Sequence, residues 1–360
     1  MKKRVVVGMS GGVDSSVAAL LLQQQGYDVV GVTLRVLPDV GGRHYNPETD
    51  ESVRKARAVA SRLGVEHHVA LCSDAFTQTV LRNAHADFAK ARTPNPCCYC
   101  NRHVKFGWMM DYALELGADF LATGHYVRTA PWNGARRLFK GKDGNKDQSY
   151  FLFAVPDERM AKVLTPLGDY TKAEVREIAA RHGFANASAS DSQDICFDIY
   201  GSEYTQFLQD QFGPMTHGGN FVTEEGKILR RHEGYHRYTV GQRKGLNVAL
   251  GVPAFVRHVD FESGDIVVTP HKDTVCFKEA FLEKCVWHGN IDEKVGESFN
   301  CMGMVRYRQR PVNCEVFPLE QGCARVVFEE PLFAITPGQC AVFYGVENEA
   351  DMVLGGGWIK

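Results

Sequence analysis

The feature that most constrains this chain is a loop rich in glycine and serine that follows a short apolar strand near the N-terminus. The segment Gly8–Ser16 reads Gly-Met-Ser-Gly-Gly-Val-Asp-Ser-Ser and comes directly after three valines. Adjacent glycines let a backbone fold tightly around an anion, and the following helix begins with N–H donors. The loop lacks the lysine of a Walker loop and does not fit Gly-x-Gly-x-x-Gly. It therefore predicts a phosphate cradle of another type.

Around this loop, the first third of the chain alternates short apolar runs with amphipathic helical segments. Parallel strands joined by crossover helices produce this alternation, so it predicts an α/β fold with a doubly wound parallel sheet. The predicted strands are Arg4–Val7, Asp28–Leu34, Val65–Leu71 and Phe120–Ala122. The predicted helices are Ser15–Gln25, Glu51–Leu63, Phe106–Leu116 and Lys172–His182, the last with Thr171 as its cap.

The pattern changes after about residue 205, where helical periodicity fades. Short strands separated by Pro and Gly follow, and this spacing is typical of a small antiparallel barrel or sandwich. The predicted strands are Phe299–Tyr307, Cys314–Phe317, Cys323–Phe328, Ala341–Tyr344 and Met352–Ile359. We predict three domains: a catalytic domain at 1–205, a small central domain at 206–275 and a C-terminal antiparallel β-barrel at 276–360.

Composition limits the class of protein. A chain of 360 residues with 44% hydrophobic and 23% charged residues is typical of a globular protein with several domains. The N-terminal apolar stretch is too short for a signal peptide, and no window approaches the roughly 18 apolar residues of a spanning helix, so we expect a cytoplasmic protein without membrane contact. The net charge of −2 does not show the overall basic character that is usual in nucleic-acid-binding proteins. Arg and Lys nevertheless cluster in segments 128–146, 230–244 and 306–310.

The cysteines divide into two kinds. The chain has 11 of them, an odd number without an export signal, which argues against a disulfide framework and for thiol or metal chemistry at some positions. Cys97, Cys98 and Cys100 follow a rigid Pro-Asn-Pro turn, which suits a defined site. Isolated cysteines in strand-like contexts are expected to fill space, namely Cys276, Cys285, Cys301, Cys314, Cys323 and Cys340.

Six further motifs accompany the loop. They are Thr93–Phe106, Ala122–Tyr126, Lys146–Leu152, Asp191–Phe197, Tyr238–Leu246 and Leu354–Trp358. The loop itself resembles the PP-loop of ATP pyrophosphatases, and the whole set, in this order, resembles the tRNA-specific 2-thiouridylases over essentially the entire chain. The resemblance implies a PP-loop domain at 1–205 and a central domain that contacts tRNA.

ATP and Mg²⁺ are the ligands that the resemblance implies for the loop. Asp14 would lie near the magnesium and the pyrophosphate, and Leu34 would border the adenine. The ATP would adenylate C2 of the wobble uridine at tRNA position 34, after which sulfur displaces AMP. The implied ATP-binding residues are Gly8, Met9, Ser10, Gly11, Gly12, Val13, Asp14, Ser15, Leu34 and Gly124.

The same resemblance assigns the sulfur chemistry to two thiols. Cys196 would carry a persulfide, and Cys100 would resolve the intermediate by forming a Cys100–Cys196 disulfide. With Asp14, these are the implied catalytic residues. A sulfur-donor protein, either a cysteine desulfurase or a sulfur relay protein, is the implied partner besides tRNA.

Contacts to tRNA are also implied position by position. Lysine and arginine suit phosphates, whereas an extruded base needs hydrogen bonds to its edge and an apolar wall. The implied residues are Asn95, Pro96, Cys97, His125, Lys146, Asp147, Gln148, Arg306, Tyr307 and Gln339.

Cys97 is a departure from the family's commoner aspartate. It creates a Cys-x-x-Cys pair with Cys100, and these two thiolates together with Cys196 can hold three irons of a [4Fe–4S] cluster and leave the fourth open. We predict this cluster as the metal site, and the route through a persulfide and a disulfide is the competing mechanism.

Two other functions compete with thiolation. A small-molecule amidating ligase could use the same loop, but it has no need of paired thiols. A structural zinc site in an RNA-binding module could use Cys97 and Cys100, but such sites usually show a second Cys or His pair.

Overall fold

The computed structural model describes residues 2–39, 46, 48–188, 204–289, 291 and 295–360. The chain divides into two compact units. The first comprises Met1–Val80, Cys97–Phe197 and Asp351–Val353, and the second comprises Leu81–Pro96, Asp198–Ala350 and Leu354–Lys360.

The first unit is built on a parallel sheet. Its strands are β1 (Arg4–Gly8), β2 (Asp28–Arg35), β3 (Glu66–Leu71), β4 (Phe120–Ala122), β5 (Val127–Trp132), β6 (Ala135–Lys140) and β7 (Val163–Leu164). Five of them form one sheet in the order β3-β2-β1-β4-β7, and every pair in it is parallel. β5 and β6 form a separate antiparallel hairpin.

Helices connect these strands. They are α1 (Val13–Gln24), α2 (Glu51–Leu63) and α3 (Ser73–Phe76) and, after α4 (Arg82–Ala89) of the second unit, α5 (Pro96–Tyr99), α6 (Met109–Glu115), α7 (Ser149–Leu152), α8 (Asp157–Met160) and α9 (Lys172–Arg181). Two π-helical segments occur at Thr77–Leu81 and Cys100–Trp108.

The position of β1 explains where a ligand can bind. Val5, Val6 and Val7 are fully buried, as expected for a central strand covered on both faces. β2 pairs with one side of β1 and β4 with the other. In doubly wound sheets the connections diverge at such a point and leave a crevice outside the carboxyl ends of the strands. The loop after Gly8 opens into this crevice.

The second unit contains two β-structures besides α4 and α10 (Tyr204–Phe212). A four-stranded sheet has the order β10-β11-β8-β9, and a closed barrel has the order β12-β15-β14-β13-β16-β17. The strands are β8 (Gly219–Val222), β9 (Ile228–His232), β10 (Phe255–Val259), β11 (Ile266–Thr269), β12 (Cys276–Trp287), β13 (Phe299–Met304), β14 (Val312–Leu319), β15 (Cys323–Phe333), β16 (Cys340–Tyr344) and β17 (Val353–Ile359). Short 3₁₀ segments lie at Tyr235–Arg237, Lys272–Val275, Glu320–Gly322 and Glu347–Glu349.

The predicted fold class is confirmed: a parallel sheet, a small central β-structure and a closed antiparallel barrel. The helix predicted at Phe106–Leu116 was too short, because helical structure begins ten residues earlier at Pro96. The β5–β6 hairpin was missed, although Asn133 and Gly134 signal it. Their φ angles of 47° and 80° suit a tight hairpin turn. No helix in the described ranges is both long and apolar enough to cross a bilayer.

Candidate nucleotide site and thiol helix

The loop after β1 leaves the N-terminus of α1 open. Gly12 occupies the cap position and has no side chain to accept from the first N–H groups of the helix. The serines form hydrogen bonds within the loop instead: Ser15 Oγ accepts from Ser10 N at 3.2 Å, and Ser16 Oγ donates to Gly12 O at 2.9 Å. Unused N–H groups at a helix N-terminus attract anions. The loop therefore offers backbone N–H groups that suit an anion, and its serines hold it in shape.

At two positions of the site, a residue larger than glycine would come too close to neighbouring backbone atoms. Gly11 has φ +75°, and a Cβ there would lie 2.7 Å from Ser52 O. Gly124, just after β4, approaches the loop so closely that a Cβ would lie 2.9 Å from Ser15 N. Leu34 lies at the end of β2 and is half-buried. The sheet thus brings Gly11, Leu34 and Gly124, which are far apart in sequence, to the same edge.

Asp14 has two partners that its sequence neighbours do not reveal. Tyr126 donates from its hydroxyl to Asp14 Oδ1 at 2.7 Å. Lys172, the first residue of α9, donates from Nζ to both carboxylate oxygens at 2.7 and 2.8 Å. The side chain of Asp14 stays 33% exposed while that of Lys172 is 10% exposed. The acid therefore lies at the mouth of the loop, with a buried cation behind it.

Asn186 is a second residue that sequence reasoning missed. Its Nδ2 donates to Gly11 O at 2.8 Å and to Ser16 Oγ at 3.1 Å. It therefore links the glycine turn of the loop to Ser16 in the first turn of α1. No motif in the sequence signals this contact, because it depends on where the chain passes after α9.

The predicted thiols lie on the helical segment that begins at Pro96. Cys97 is half-buried, whereas Cys98 and Cys100 are buried. Cys98 Sγ donates to Tyr150 O at 3.8 Å, and Asn101 Nδ2 donates to Phe151 O at 3.0 Å, so this segment is anchored on α7. Proline suits the first turn of a helix, which explains the start. The described residues contain no group of three metal-ligating side chains, and Cys196 lies outside the described residues.

Cys72 is an additional thiol near Cys100. It follows β3, and its Sγ donates to Arg35 O at 3.5 Å. Burial raises the pKa of Cys72 to about 12, and the nearby Cys100 adds to the shift. Because only a thiolate is a good nucleophile, this raised pKa disfavours nucleophilic chemistry at Cys72.

His125 is buried next to Lys105, which lies on the same helical segment as Cys100. Its Nδ1 lies 2.7 Å from Thr123 Oγ1, and its Nε2 lies 3.5 Å from Lys105 Nζ. An ammonium group only donates, so Nε2 accepts and Nδ1 carries the hydrogen. Burial and the charge of Lys105 hold the pKa of His125 well below its usual range. The ring is therefore neutral and orients Lys105.

Lys146, Asp147 and Gln148 form a turn before α7. Asp147 accepts from Gly141 N at 2.9 Å and from Ser149 Oγ at 2.7 Å, and burial raises its pKa despite these donors. Gln148 Oε1 accepts from Tyr126 N at 3.0 Å. The acid and the amide thus shape the turn that presents Lys146.

Gln339 shapes the segment before Asn95 within the second unit. Its Nε2 donates to Thr93 O at 3.0 Å and to Pro94 O at 3.2 Å. Gly338 lets this approach occur, since a Cβ there would lie 2.7 Å from Thr93 O. Asn95 is buried. Gln339 and Asn95, which are 244 residues apart in sequence, therefore belong to one local structure.

Arg306 and Tyr307 follow β13 in the same unit. The guanidinium of Arg306 donates to Val240 O at 2.9 Å, and Arg308, at φ +65°, lies over the ring of Tyr307 at 5.4 Å. Of the predicted tRNA contacts, Asn95, Pro96, Arg306, Tyr307 and Gln339 belong to the second unit, and Cys97, His125, Lys146, Asp147 and Gln148 belong to the first.

Comparison with known proteins gives matches along nearly the whole chain. Family models described as tRNA methyl transferase HUP domain, tRNA methyl transferase PRC-barrel domain and aminomethyltransferase beta-barrel domain match residues 3–199, 205–270 and 277–359. Similar proteins include those named tRNA-specific 2-thiouridylase MnmA from Halothermothrix orenii (38% identical; 99% of each chain), Geotalea uraniireducens (40%; 100% of this chain and 95% of the relative) and Pelobacter propionicus (41%; 99% and 97%).

Proposed function

This chain belongs to the tRNA-specific 2-thiouridylase family, and we propose that its Gly8–Ser16 loop holds the ATP that activates the target uridine. The chain is a tRNA-uridine 2-sulfurtransferase, which replaces the oxygen at C2 of a tRNA uridine with sulfur at the expense of ATP. The observation that carries the assignment of the loop is the open N-terminus of α1 with Asp14 at its mouth. We assign the wobble uridine, position 34, as the target.

The loop also distinguishes sulfur transfer from methyl transfer. Two of the matching family models are described as tRNA methyl transferase domains, whereas the relatives are named for thiolation. A methyl group on a sulfonium donor needs no phosphate cradle, but activation of a carbonyl oxygen by ATP does. The Ser-Gly-Gly-x-Asp-Ser loop thus favours thiolation.

Activation begins at the uridine. Its O2 attacks the α-phosphorus of ATP, the bond from that phosphorus to the bridging β-oxygen breaks, and pyrophosphate leaves. The helix N-terminus and the loop N–H groups stabilise the charge on the phosphates. We assign Asp14, whose side chain is partly exposed, as the carboxylate that would hold Mg²⁺, a hard cation that prefers oxygen ligands. O2 is then part of AMP, which is a good leaving group.

Sulfur transfer follows on the thiols. In the persulfide route the terminal sulfur on Cys196 attacks C2, and AMP departs with the original oxygen. The Cys100 thiolate then attacks the Cys196 sulfur, which releases 2-thiouridine and leaves a disulfide. An external dithiol reductant supplies the two electrons that reset the pair. Cys196 lies outside the described residues, so the Cys100–Cys196 pairing is a proposal.

The cluster route is the alternative. Cys97 and Cys100 are three residues apart on one helical turn, so their side chains share a face, and their thiols suit iron. Together with Cys196 they would hold a [4Fe–4S] cluster, whose open iron supplies a site for sulfide when bound.

Cys97 discriminates between the routes. Under the cluster route, Cys97→Ala loses both iron and thiolation, and Cys97→Asp loses most of the iron. Under the persulfide route, Cys97→Asp keeps activity. Anaerobic purification with iron and sulfide analysis and an absorbance spectrum is the measurement. A wild-type protein that is colourless, iron-free and fully active with a persulfide donor excludes the cluster.

The tRNA contacts are proposed in two groups. Lys146, Arg306 and Tyr307 suit direct contact with phosphate or base. His125, Asp147, Gln148 and Gln339 hydrogen-bond to Lys105 or to backbone, so we assign each to shaping the surface of its own unit. Arg306 also donates to Val240 O, but a guanidinium has five N–H donors, so we keep it as a direct contact. Asn95, Pro96 and Cys97 would border the target base.

The remaining partners follow from the chemistry. A cysteine desulfurase or a sulfur relay protein would supply the sulfur, since the chain needs sulfur in the sulfane or sulfide state. We assign the enzyme to the cytoplasm, where tRNA and ATP are available.

Nucleoside analysis tests the function. Unmodified tRNA is incubated with the protein, ATP and a sulfur donor, digested, and examined by mass spectrometry for 2-thiouridine, with AMP and pyrophosphate measured in parallel. ADP and phosphate as products, or thiolation at C4, would contradict the proposal.

A further inference from the structure

Lys172 is a buried lysine whose ammonium group lies at the phosphate loop. The residue is 8% exposed, and Nζ is 2.7 and 2.8 Å from the Asp14 oxygens and 5.8 Å from the centre of the Tyr126 ring. Lysine is rarely buried without a partner. Here the partner is itself the acidic residue of the loop.

The backbone at Lys172 is fixed by three hydrogen bonds. Thr171 Oγ1 accepts from Glu174 N at 3.3 Å, and Thr171 N donates to the Glu174 carboxylate at 2.6 Å. Lys172 N donates to Asp143 Oδ2 at 3.0 Å. This capping box holds the start of α9 rigidly. The side chain therefore delivers its charge to a defined point.

Resting on the proposed use of ATP, we propose that Lys172 supplies the phosphate-binding lysine that the loop itself lacks. Without nucleotide, Asp14 neutralises it. A triphosphate bound at the N-terminus of α1 brings anionic oxygens to the mouth where Asp14 lies, and the Lys172 ammonium transfers its hydrogen bonds to the β- and γ-phosphates. Negative charge grows on these phosphates as pyrophosphate leaves, and the ammonium stabilises it there.

The competing interpretation is an ion pair that serves only stability. Replacing a buried ion pair by apolar groups is often neutral, so stability alone is a weak reason for such a pair. The partial exposure of Asp14 favours the ligand role, because the pair opens toward the crevice rather than into the core.

Nucleotides of different phosphate number separate the two interpretations. Binding of AMP, ATP and inorganic pyrophosphate to the full chain is measured by calorimetry for wild type, Lys172→Met and Lys172→Arg. We expect Lys172→Met to weaken ATP and pyrophosphate binding by at least about tenfold and AMP binding by less than about twofold, because AMP lacks the phosphates concerned. We expect kcat/KM for ATP in tRNA-dependent pyrophosphate release to fall about 100-fold, with partial recovery in Lys172→Arg.

Asp157→Asn is the matched control. It breaks the Arg137–Asp157 ion pair of the same unit, whose side chains are 15% and 34% exposed, against 10% and 33% for Lys172 and Asp14. It should lower Tm without changing the affinity for ATP.

Three results would overturn the proposal. The first is an unchanged affinity for ATP and pyrophosphate in folded Lys172→Met. The second is an equal loss of affinity for AMP and for ATP in that variant. The third is a loss of ATP affinity in Asp157→Asn as large as that in Lys172→Met. Failure of the underlying function looks different, because wild type itself would then release ADP and phosphate or no product.

Discussion

Replacing Gly124 by alanine tests whether β4 and the loop form one nucleotide site. Gly124 has no side chain at the place where the chain leaves β4, and its Cα faces the backbone between Asp14 and Ser15. A methyl group there would lie 2.9 Å from both Asp14 C and Ser15 N, which are backbone atoms. Neither atom can move aside by rotating a side chain, so the loop as a whole must shift.

The size of the shift sets the expected loss. Ordinary contact begins near 3.4 Å, so the loop must retreat by about half an ångström. Overpacking of this kind costs roughly 1–3 kcal/mol of unfolding free energy. A displacement approaching 1 Å at a reacting group costs on the order of 100-fold in rate. We therefore expect kcat/KM for ATP to fall about 30- to 100-fold, while Tm falls by about 2–10 °C.

The assay is tRNA-dependent pyrophosphate release at varied ATP, with thermal unfolding measured in parallel. Gly144→Ala is the control, because nothing lies within 4 Å of a Cβ at that position. Wild-type kcat/KM in Gly124→Ala would refute the placement of the nucleotide between β4 and the loop.

Three further predictions follow from the site and its surroundings. Asp14→Ala should reduce AMP and pyrophosphate formation at least about 100-fold while circular dichroism shows a folded protein; normal turnover would remove Asp14 from the site. The double change Arg306→Ala and Lys146→Ala should weaken tRNA binding about tenfold, flatten its salt dependence and leave ATP binding intact, and unchanged filter binding would exclude these residues. Burial raises the pKa of Asp87 from 3.8 to about 6, against the opposing charges of Lys284 and Arg92. The stabilisation that comes from the protonated carboxyl is complete below about pH 3.8 and is lost as the pH rises through about 6. Asp87→Asn should therefore raise the free energy of unfolding by roughly 2–3 kcal/mol at pH 7.5 and change it little at pH 4. Equal changes in the free energy of unfolding at the two pH values would contradict this.

The loop between β1 and α1 could be predicted from sequence because its geometry is local. Adjacent glycines, serines and a helix start are consecutive in the chain, and their meaning depends on backbone geometry alone. Lys172 and Asn186 could not be predicted. Both reach the loop only because α9 and the chain after it pass beside α1, and a lysine at a helix N-terminus carries no sequence signal of its own.

Sequence patterns also predicted the strands β1 to β4 and the helices α1, α2 and α9, because the period of apolar residues follows secondary structure directly, whereas the β5–β6 hairpin was missed. They also predicted candidate residues for the chemistry, from Asp14 to the Cys97–Cys100 pair, and these assignments stay predictions. Only the tertiary structure decided which distant residues share a site. The parallel sheet brings Gly124 to within contact of Ser15, and the Gly338 turn lets Gln339 hold the backbone before Asn95. These contacts join residues more than 100 positions apart, and they form only when burial of strands and barrel fixes the path of the chain between them.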